Sequence, residues 1–471
     1  MTGSPAALGL FLFFLLLQGL TAEERLTFHA AAKPLDPGAR TEDWPRFLGP
    51  RDDATSLETG ILPLWPDSGP ALVWEVTKGE GYAGPSIRGD KLIMFHRLDG
   101  DEVVECRNAD NGRMLWAHRY EADYDDSFGF SNGPRANPVI DGDLVITAGV
   151  TGRVHALNLS DGTLQWQLNL RERYQLPKNF FGYGASPLVW KDLVFLNTGG
   201  AEPDESPGIC VAAFDRETGK EAWTARDTWG ASYASPVMAE IHGRDILLVF
   251  AGGQSRPPHG GLLALDPENG KVLSRFPWRA DKYESVNAST PLPVGGNRIF
   301  ISECYEKGGV LLAFDEEFQP TVLWEERGFG MHWMTPLLDD GVLFGFAGRN
   351  EPDLEFKAID LESGEILWRD EMRWSEKAGN RQLVRGLFRA WLTGVGDRYL
   401  AWGEHGALAS LELSGDGVKT TQRHQLFLAD HSWTPPALSR GLLYITQNNR
   451  DRTQGASPRI LCYDLRAGGE E

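Results

Sequence analysis

Two short stretches carry the same pair of chemically versatile side chains in the same setting: His332-Trp333 and His431-x-Trp433, each just ahead of a Thr-Pro step. Tyr82, Arg135, Tyr183, Tyr233, Asn287 and Arg389 stand at corresponding places before other such steps. Gathered in one place, these ten residues offer aromatic faces for stacking, two fixed cations and hydrogen-bonding side chains, which suits an anionic or hydroxyl-rich ligand. They do not suit hydrolysis or metal chemistry. Calcium prefers six or more oxygens with several carboxylates, and the only acids beside these positions in sequence are Glu80 and Asp430. The chain has no Gly-x-Ser-x-Gly elbow, no His-Glu-x2-His and no phosphate loop, so no catalytic residue and no metal ligand is assigned. The acidic run Glu121-x-Asp123-x-Asp125-Asp126 reads as a solvated loop.

What would bring the ten together is a repeat. Eight small-residue steps open similar units: Gly84-Pro85, Asn137-Pro138, Ser186-Pro187, Ser235-Pro236, Thr290-Pro291, Thr335-Pro336, Ala390-Trp391 and Thr434-Pro435. After each come a short apolar strand, a tight turn such as Gly89-Asp90 or Gly142-Asp143, and a second apolar strand. A hairpin then completes the unit. Its clearest copy is Val211-Ala-Ala-Phe-Asp-Arg-Glu-Thr-Gly-Lys-Glu-Ala-Trp223, with a small residue ten positions before a tryptophan. Cys106 to Trp116, Ala156 to Trp166 and Ala358 to Trp368 repeat it. The Asx side chain can bond the turn backbone, and Gly supplies the positive φ that the turn needs.

A period near 50 residues with four strands in each unit is the signature of a propeller blade. The chain is expected to be all-β, an eight-bladed β-propeller of four-stranded antiparallel blades. The eighth unit ends near Leu465 after three strands, and Ala71-Leu-Val-Trp74-Glu-Val76 is a lone strand at the other end of the repeats, so the N-terminal strand is expected to close the ring. Some copies are irregular. Ser274 stands where the fourth unit should have its tryptophan, Trp324 comes one residue late, and the seventh unit has none. Glu371 to Leu387 is a polar insertion read as a helix.

Around the repeats the chain divides simply. Residues 1–22 hold an apolar run without a charge and read as a signal peptide cleaved after Ala22. Residues 23–69 are an N-terminal arm, mobile to about Thr41 and ordered from Asp43, where Pro, Gly and aromatic residues mix. Residues 70–466 are the propeller and 467–471 a tail. No cysteine precedes Cys106, so a lipid-bearing cysteine at the cleavage point is not expected, nor is membrane insertion after cleavage. The formal charge of −20 disfavours nucleic acid and anionic membrane surfaces. The four cysteines, Cys106, Cys210, Cys304 and Cys462, have no metal spacing; Cys106 and Cys462 take the small seat of the repeat and read as buried thiols, with a bridge between these two left open.

The pattern Ala-x-Asp-x3-Gly-Lys-x2-Trp, complete at Ala213, Asp215, Gly219, Lys220 and Trp223, resembles the tryptophan-docking repeat of pyrroloquinoline quinone (PQQ) propellers. The resemblance runs from about Pro70 to Leu465. It implies docking roles for Trp74, Trp116, Trp166, Trp223, Trp324 and Trp368. That superfamily holds quinoprotein dehydrogenases and also cofactor-free members such as the BamB-type outer-membrane assembly factor. The segment Trp44-Pro-x-Phe47-x-Gly49-Pro50 with Trp65-Pro66 also looks like the lead-in of secreted bacterial PQQ-like repeat proteins. The dehydrogenases commonly carry an adjacent Cys-Cys pair and hold calcium with carboxylates and an Asn, and this chain has no adjacent cysteines. The expected function is therefore a secreted, non-catalytic binding or scaffold propeller, periplasmic or extracellular, with no cofactor and with an envelope protein or glycan as partner. A PQQ- and calcium-dependent dehydrogenase is the alternative, and a carbohydrate-binding propeller a further one.

Overall fold

A computed structural model describes residues 24–61, 65–199, 207–378 and 381–467. The expected signal peptide and the last residues of the tail lie outside that range. Strands from eight successive sheets account for nearly all of the regular structure, and the longest helix among the described residues is the single turn Leu170–Tyr174. Blade one is Ser86–Arg88, Lys91–Leu98, Asp101–Asn108 and Met114–Glu121, paired in that order from the axis outward. Blades two to six follow the same plan, beginning at Val139, Leu188, Val237, Leu292 and Leu337. Blade seven starts at Trp391. Blade eight takes Ala437–Ser439, Leu442–Gln447 and Arg459–Asp464 from the C-terminal end and Ala71–Thr77 from the N-terminal end. The ring is thus closed by pairing the two ends of the chain, as the lone strand at Ala71 implied.

The small-residue steps form the inner clasp between blades. The Gly84 N–H donates to Asn137 Oδ1 (2.8 Å), the Asn137 N–H to Ser186 Oγ (2.9 Å) and the Ser186 N–H to Ser235 Oγ (3.0 Å), each reaching one blade onward. The tryptophans form the outer clasp. Within a blade, Cys106, Ala156, Ala213 and Ala358 pair across the ladder with Trp116, Trp166, Trp223 and Trp368, and Cys462 pairs with Trp74. Each indole then leaves its own blade. Trp74 Nε1 donates to Ala109 O, Trp116 to Leu159 O, Trp166 to Arg216 O and Trp223 to Pro267 O, at 2.7–2.9 Å, all in the next blade. A Cβ built on Gly112, Gly162, Gly219 or Gly270 would stand within 2.9 Å of the indole that arrives there. The turn glycine therefore has two duties, a positive φ and a bare surface for the neighbour's ring.

The irregular copies are repaired by other residues. Ala264 pairs with Ser274, and that junction is made instead by Gln319 Nε2 donating to Leu273 O (3.0 Å) and by the buried Phe318. Trp324 pairs with Leu311 rather than with Ala313, yet still donates to Leu361 O (2.9 Å) of the next blade. In blade seven Gln422 occupies the tryptophan position opposite Ser410. Its amide exchanges two hydrogen bonds with the backbone of Trp65, which brings a buried tryptophan from the arm.

Three expectations are corrected. The insertion after blade six is a β-hairpin, Arg373–Ala378 with Arg381–Gly386, not a helix. Trp374 lies under the guanidinium of Arg423 (4.8 Å) and ties the hairpin to blade seven. The stretch before Thr41 is not loose, because Leu26–Phe28 adds a fifth strand to blade eight. Arg25 is buried there against Glu105, which also accepts from Arg107 Nε (2.8 Å) and lies 3.2 Å from His96. A buried carboxylate with three such partners holds the start of the arm in place. The acidic run is not uniformly solvated either, since Asp126 is buried. The four cysteines are free thiols, so Cys106 and Cys462 are not bridged.

The arm from Asp43 crosses the end of the channel where the innermost strands finish. The Ile140 N–H donates to Pro45 O (2.8 Å), Trp44 bridges to Ile87, and Thr55–Ser56 runs parallel to Gly394–Val395. Between these anchors Phe47 reaches the axis and meets Trp391 edge-on at 5.5 Å.

Candidate functional site

Each innermost strand begins at the opposite mouth of the channel, so residues before the opening steps converge there. Tyr82, Arg135, Tyr233, His332, Trp333, Arg389 and Trp433 line one cavity of about 460 Å³. Phe47 and Trp391 line it too, so the arm supplies part of its wall from the opposite side. The remaining three of the ten stand elsewhere. Tyr183 is buried in the core of blades two and three. Asn287 is spent on the fold, its Nδ2 donating to Ala251 O (2.7 Å) and Trp278 O (3.1 Å). His431 lies behind Trp433, ring centroids 4.3 Å apart, with Nδ1 3.3 Å from Asn449 Nδ2.

The reading from sequence missed much of the lining. Phe128, Phe130, Phe180 and Phe181 come from loops that link one blade to the next, and Tyr305, Arg349 and Asn350 from loops between the second and third strands. One signal was available: Phe128-Gly-Phe130 and Phe180-Phe181 are aromatic pairs within polar loop sequence, where no blade core could use them. Phe128 is 55% exposed and Phe130 37%, both rings within 6 Å of Phe181. Exposed aromatic groups at a cavity rim mark a place where something docks.

The loop that carries them is built on Asp126. Its carboxylate accepts from the backbone N–H groups of Phe128, Phe130 and Ser131, all at 3.0 Å, and meets Arg135 at 3.2 Å. Arg135 also donates to Ser131 O (3.0 Å) and Gly133 O (3.2 Å), so its charge is neutralised within the loop. Arg389 is neutralised differently. Its Nε donates to Glu404 Oε2 (2.9 Å), its Nη2 to Glu404 Oε1, and Trp433 Nε1 donates to the same carboxylate at 2.9 Å. Burial pushes the Glu404 carboxyl up, but the Arg389 contacts outweigh it and hold it below the usual carboxylate range. The guanidinium lies against both Trp333 (4.9 Å) and Trp433 (5.0 Å), whose rings also touch each other. Burial, helped by Arg389 and Arg349, depresses His332 well below its ordinary value, so its ring is neutral.

These donors do not fit a calcium–quinone centre. Asp126 and Glu404 each already accept three or more hydrogen bonds, and Glu303, its carboxyl raised to about 7 by burial, is not among the lining residues. Among the described residues no three His, Cys, Asp or Glu side chains converge as metal ligands. Cys304, the cysteine nearest in sequence to the lining residue Tyr305, is a single thiol. What the cavity can do is enclose an apolar, ring-bearing group.

Comparison with known proteins agrees with the architecture. The family model described as outer membrane protein assembly factor BamB matches residues 100–370. The outer membrane protein assembly factor BamB of Burkholderia pseudomallei (strain K96243) is 24% identical over 357 residues, covering 72% of this chain and 81% of that protein. The crystal structure of BamB from Moraxella catarrhalis superposes with a TM-score of 0.54 at 15% identity, over 85% of this chain and 99% of that one. Quinohemoprotein alcohol dehydrogenase from Comamonas testosteroni gives 0.62 at 14% identity, over 91% and 81%. At such identities the likeness to solved structures speaks for the fold alone.

Proposed function

The chain belongs to the family of the outer membrane protein assembly factor BamB, within the PQQ-like β-propellers, and on that footing we propose that it is a non-catalytic binding propeller of the cell envelope. Its leader, Met1–Ala22, would carry it across the inner membrane, and its work would be to hold a protein of the outer-membrane assembly machinery at the mouth of the channel.

The observation that carries this reading is the state of the mouth. Its buried acids, Asp126 and Glu404, are each fixed by several donors, while the rings of Phe128 and Phe130 stand exposed on its rim. A catalytic carboxylate needs a free lone pair, a tuned pKa and access to the ligand, and Glu303, raised to about 7, is not among the residues lining the cavity. A binding rim needs apolar surface held in a defined shape. The Asp126-capped loop meets the second requirement.

A photo-crosslinking residue at Phe128, compared with one at the distant exposed Leu164, tests the reading in the native host. An adduct with an outer-membrane assembly component from position 128 alone is the expected result. Adducts from both positions, or from neither, would count against it. Dye-linked oxidation of alcohols or sugars after addition of PQQ and calcium would replace the scaffold with a dehydrogenase.

A further inference from the structure

The three arginines of the cavity are not equivalent. Arg135 is matched by Asp126 and Arg389 by Glu404, in both cases with hydrogen bonds. Arg349 has only Glu284, with N and O 3.7 Å apart, beyond hydrogen-bond distance and half in solvent. Its guanidinium lies over the ring of Tyr305 at 4.6 Å, which fixes its plane beside the cavity. No hydrogen bond from that guanidinium to another described residue accompanies the stacking. A delocalised cation stacked on one face and open at its edge presents two parallel N–H groups, the geometry that a carboxylate accepts.

We propose that the channel mouth binds a small aromatic carboxylate, its ring enclosed by the aromatic walls and its carboxylate taken by Arg349. The volume of about 460 Å³ lies within the range of small-molecule sites and exceeds what a single side chain fills. The walls are rings: Tyr82, Phe181, Tyr233, Trp391 and Trp433, with Phe47 from the arm. Stacking and edge contacts with such walls favour a flat unsaturated ligand over an aliphatic one. The charge argument gives the rest. With Arg135 and Arg389 paired inside the protein, a ligand anion is drawn to the one guanidinium whose partner is loose, and it competes there with Glu284.

This inference rests on the proposed function only in taking the mouth as a binding site, and its test needs no partner protein. Indole-3-acetate and its neutral amide are titrated calorimetrically into the full chain. The acid is expected to bind roughly tenfold or more tightly than the amide, the difference a bidentate charged contact supplies, and to weaken as salt is raised. In Arg349→Gln the acid and the amide should bind alike, with the melting temperature unchanged because Arg349 is 40% exposed. Glu284→Gln should tighten the acid by removing its competitor. PQQ, an aromatic tricarboxylate, serves as control and should bind no more than a few-fold better than the simple acid. Equal affinity for acid and amide, an unaltered preference in Arg349→Gln, or binding of PQQ roughly a hundredfold tighter than the acid would each overturn the proposal. Failure of the acid to bind would leave the crosslink from Phe128 unaffected, so the two readings fail separately.

Discussion

Trp74 is where ring closure can be measured. Its side chain is fully buried, it pairs with Cys462 from the far end of the chain, and its indole rests on Gly112 of blade one while donating to Ala109 O. Trp74→Ala removes all of that. Truncating a buried tryptophan to alanine costs about 3–5 kcal/mol, most of it from lost burial and the cavity left behind. No large penalty for an orphaned carbonyl is added, because the Tyr444 hydroxyl also donates to Ala109 O (3.2 Å). We therefore expect a loss near the middle of that range, about 4 kcal/mol. Taking about 2.1 cal/mol/K of unfolding entropy per residue over roughly 430 described residues gives about 0.9 kcal/mol/K. The melting temperature should then fall by about 4–5 °C, and the denaturant midpoint should move with an unchanged slope. Trp368→Ala is the internal comparison. That indole bonds Ser414 O (2.8 Å) but is only half-buried, so its loss should be about half as large. A melting temperature unaltered in Trp74→Ala, or a larger loss in Trp368→Ala, would refute the view that the N-terminal strand is the latch of the ring.

Two further outcomes follow from particular contacts. Gly219→Ala places a Cβ 2.7 Å from the Trp166 ring at a φ of +65°, whereas Gly89→Ala does so at +57° with nothing within 4 Å. Both should lose about 1 kcal/mol from the left-handed backbone, and Gly219→Ala a further 1–2 kcal/mol, read as the gap between their denaturant midpoints. The Glu303 carboxyl is raised from 4.5 to about 7 because it is buried, although the Tyr305 N–H and Arg279 oppose the shift. A raised folded-state pKa means that the folded protein binds the extra proton, so this group's stabilising contribution is complete below pH 4.5 and is lost as pH rises through about 7. Glu303→Gln should therefore flatten the decline in stability between those limits by about 3 kcal/mol at most, measured by denaturant unfolding across that pH span. A parallel pair of profiles would show that Glu303 does not titrate there.

The repeat was legible because each of its features is a local demand. Asp215 bonds the Thr218 N–H at 2.8 Å, Gly219 adopts φ +65°, and the strand after the turn alternates, burying Trp223, Ala225 and Asp227. Eight copies of one local solution fix the architecture, and a chain with three strands at one end and one at the other can satisfy its ladder only by joining them. Local chemistry also placed the residues before each opening step at the channel mouth, since strand direction alone decides which end of a blade they occupy.

Tertiary structure decided what the mouth is made of. The ion pairing of Arg389 depends on Glu404, fifteen positions away and two strands over, and the openness of Arg349 depends on Glu284 in another blade's loop. Neither pairing has a sequence period. The same holds for Tyr183 and Asn287, which share the register of their ring-lining counterparts yet turn into the core and onto backbone carbonyls. Hydrogen-bond patterns recur within a few residues and can be read along the chain. Charge compensation and cavity shape arise from whichever loops the closed ring brings side by side, and only the folded ring specifies those.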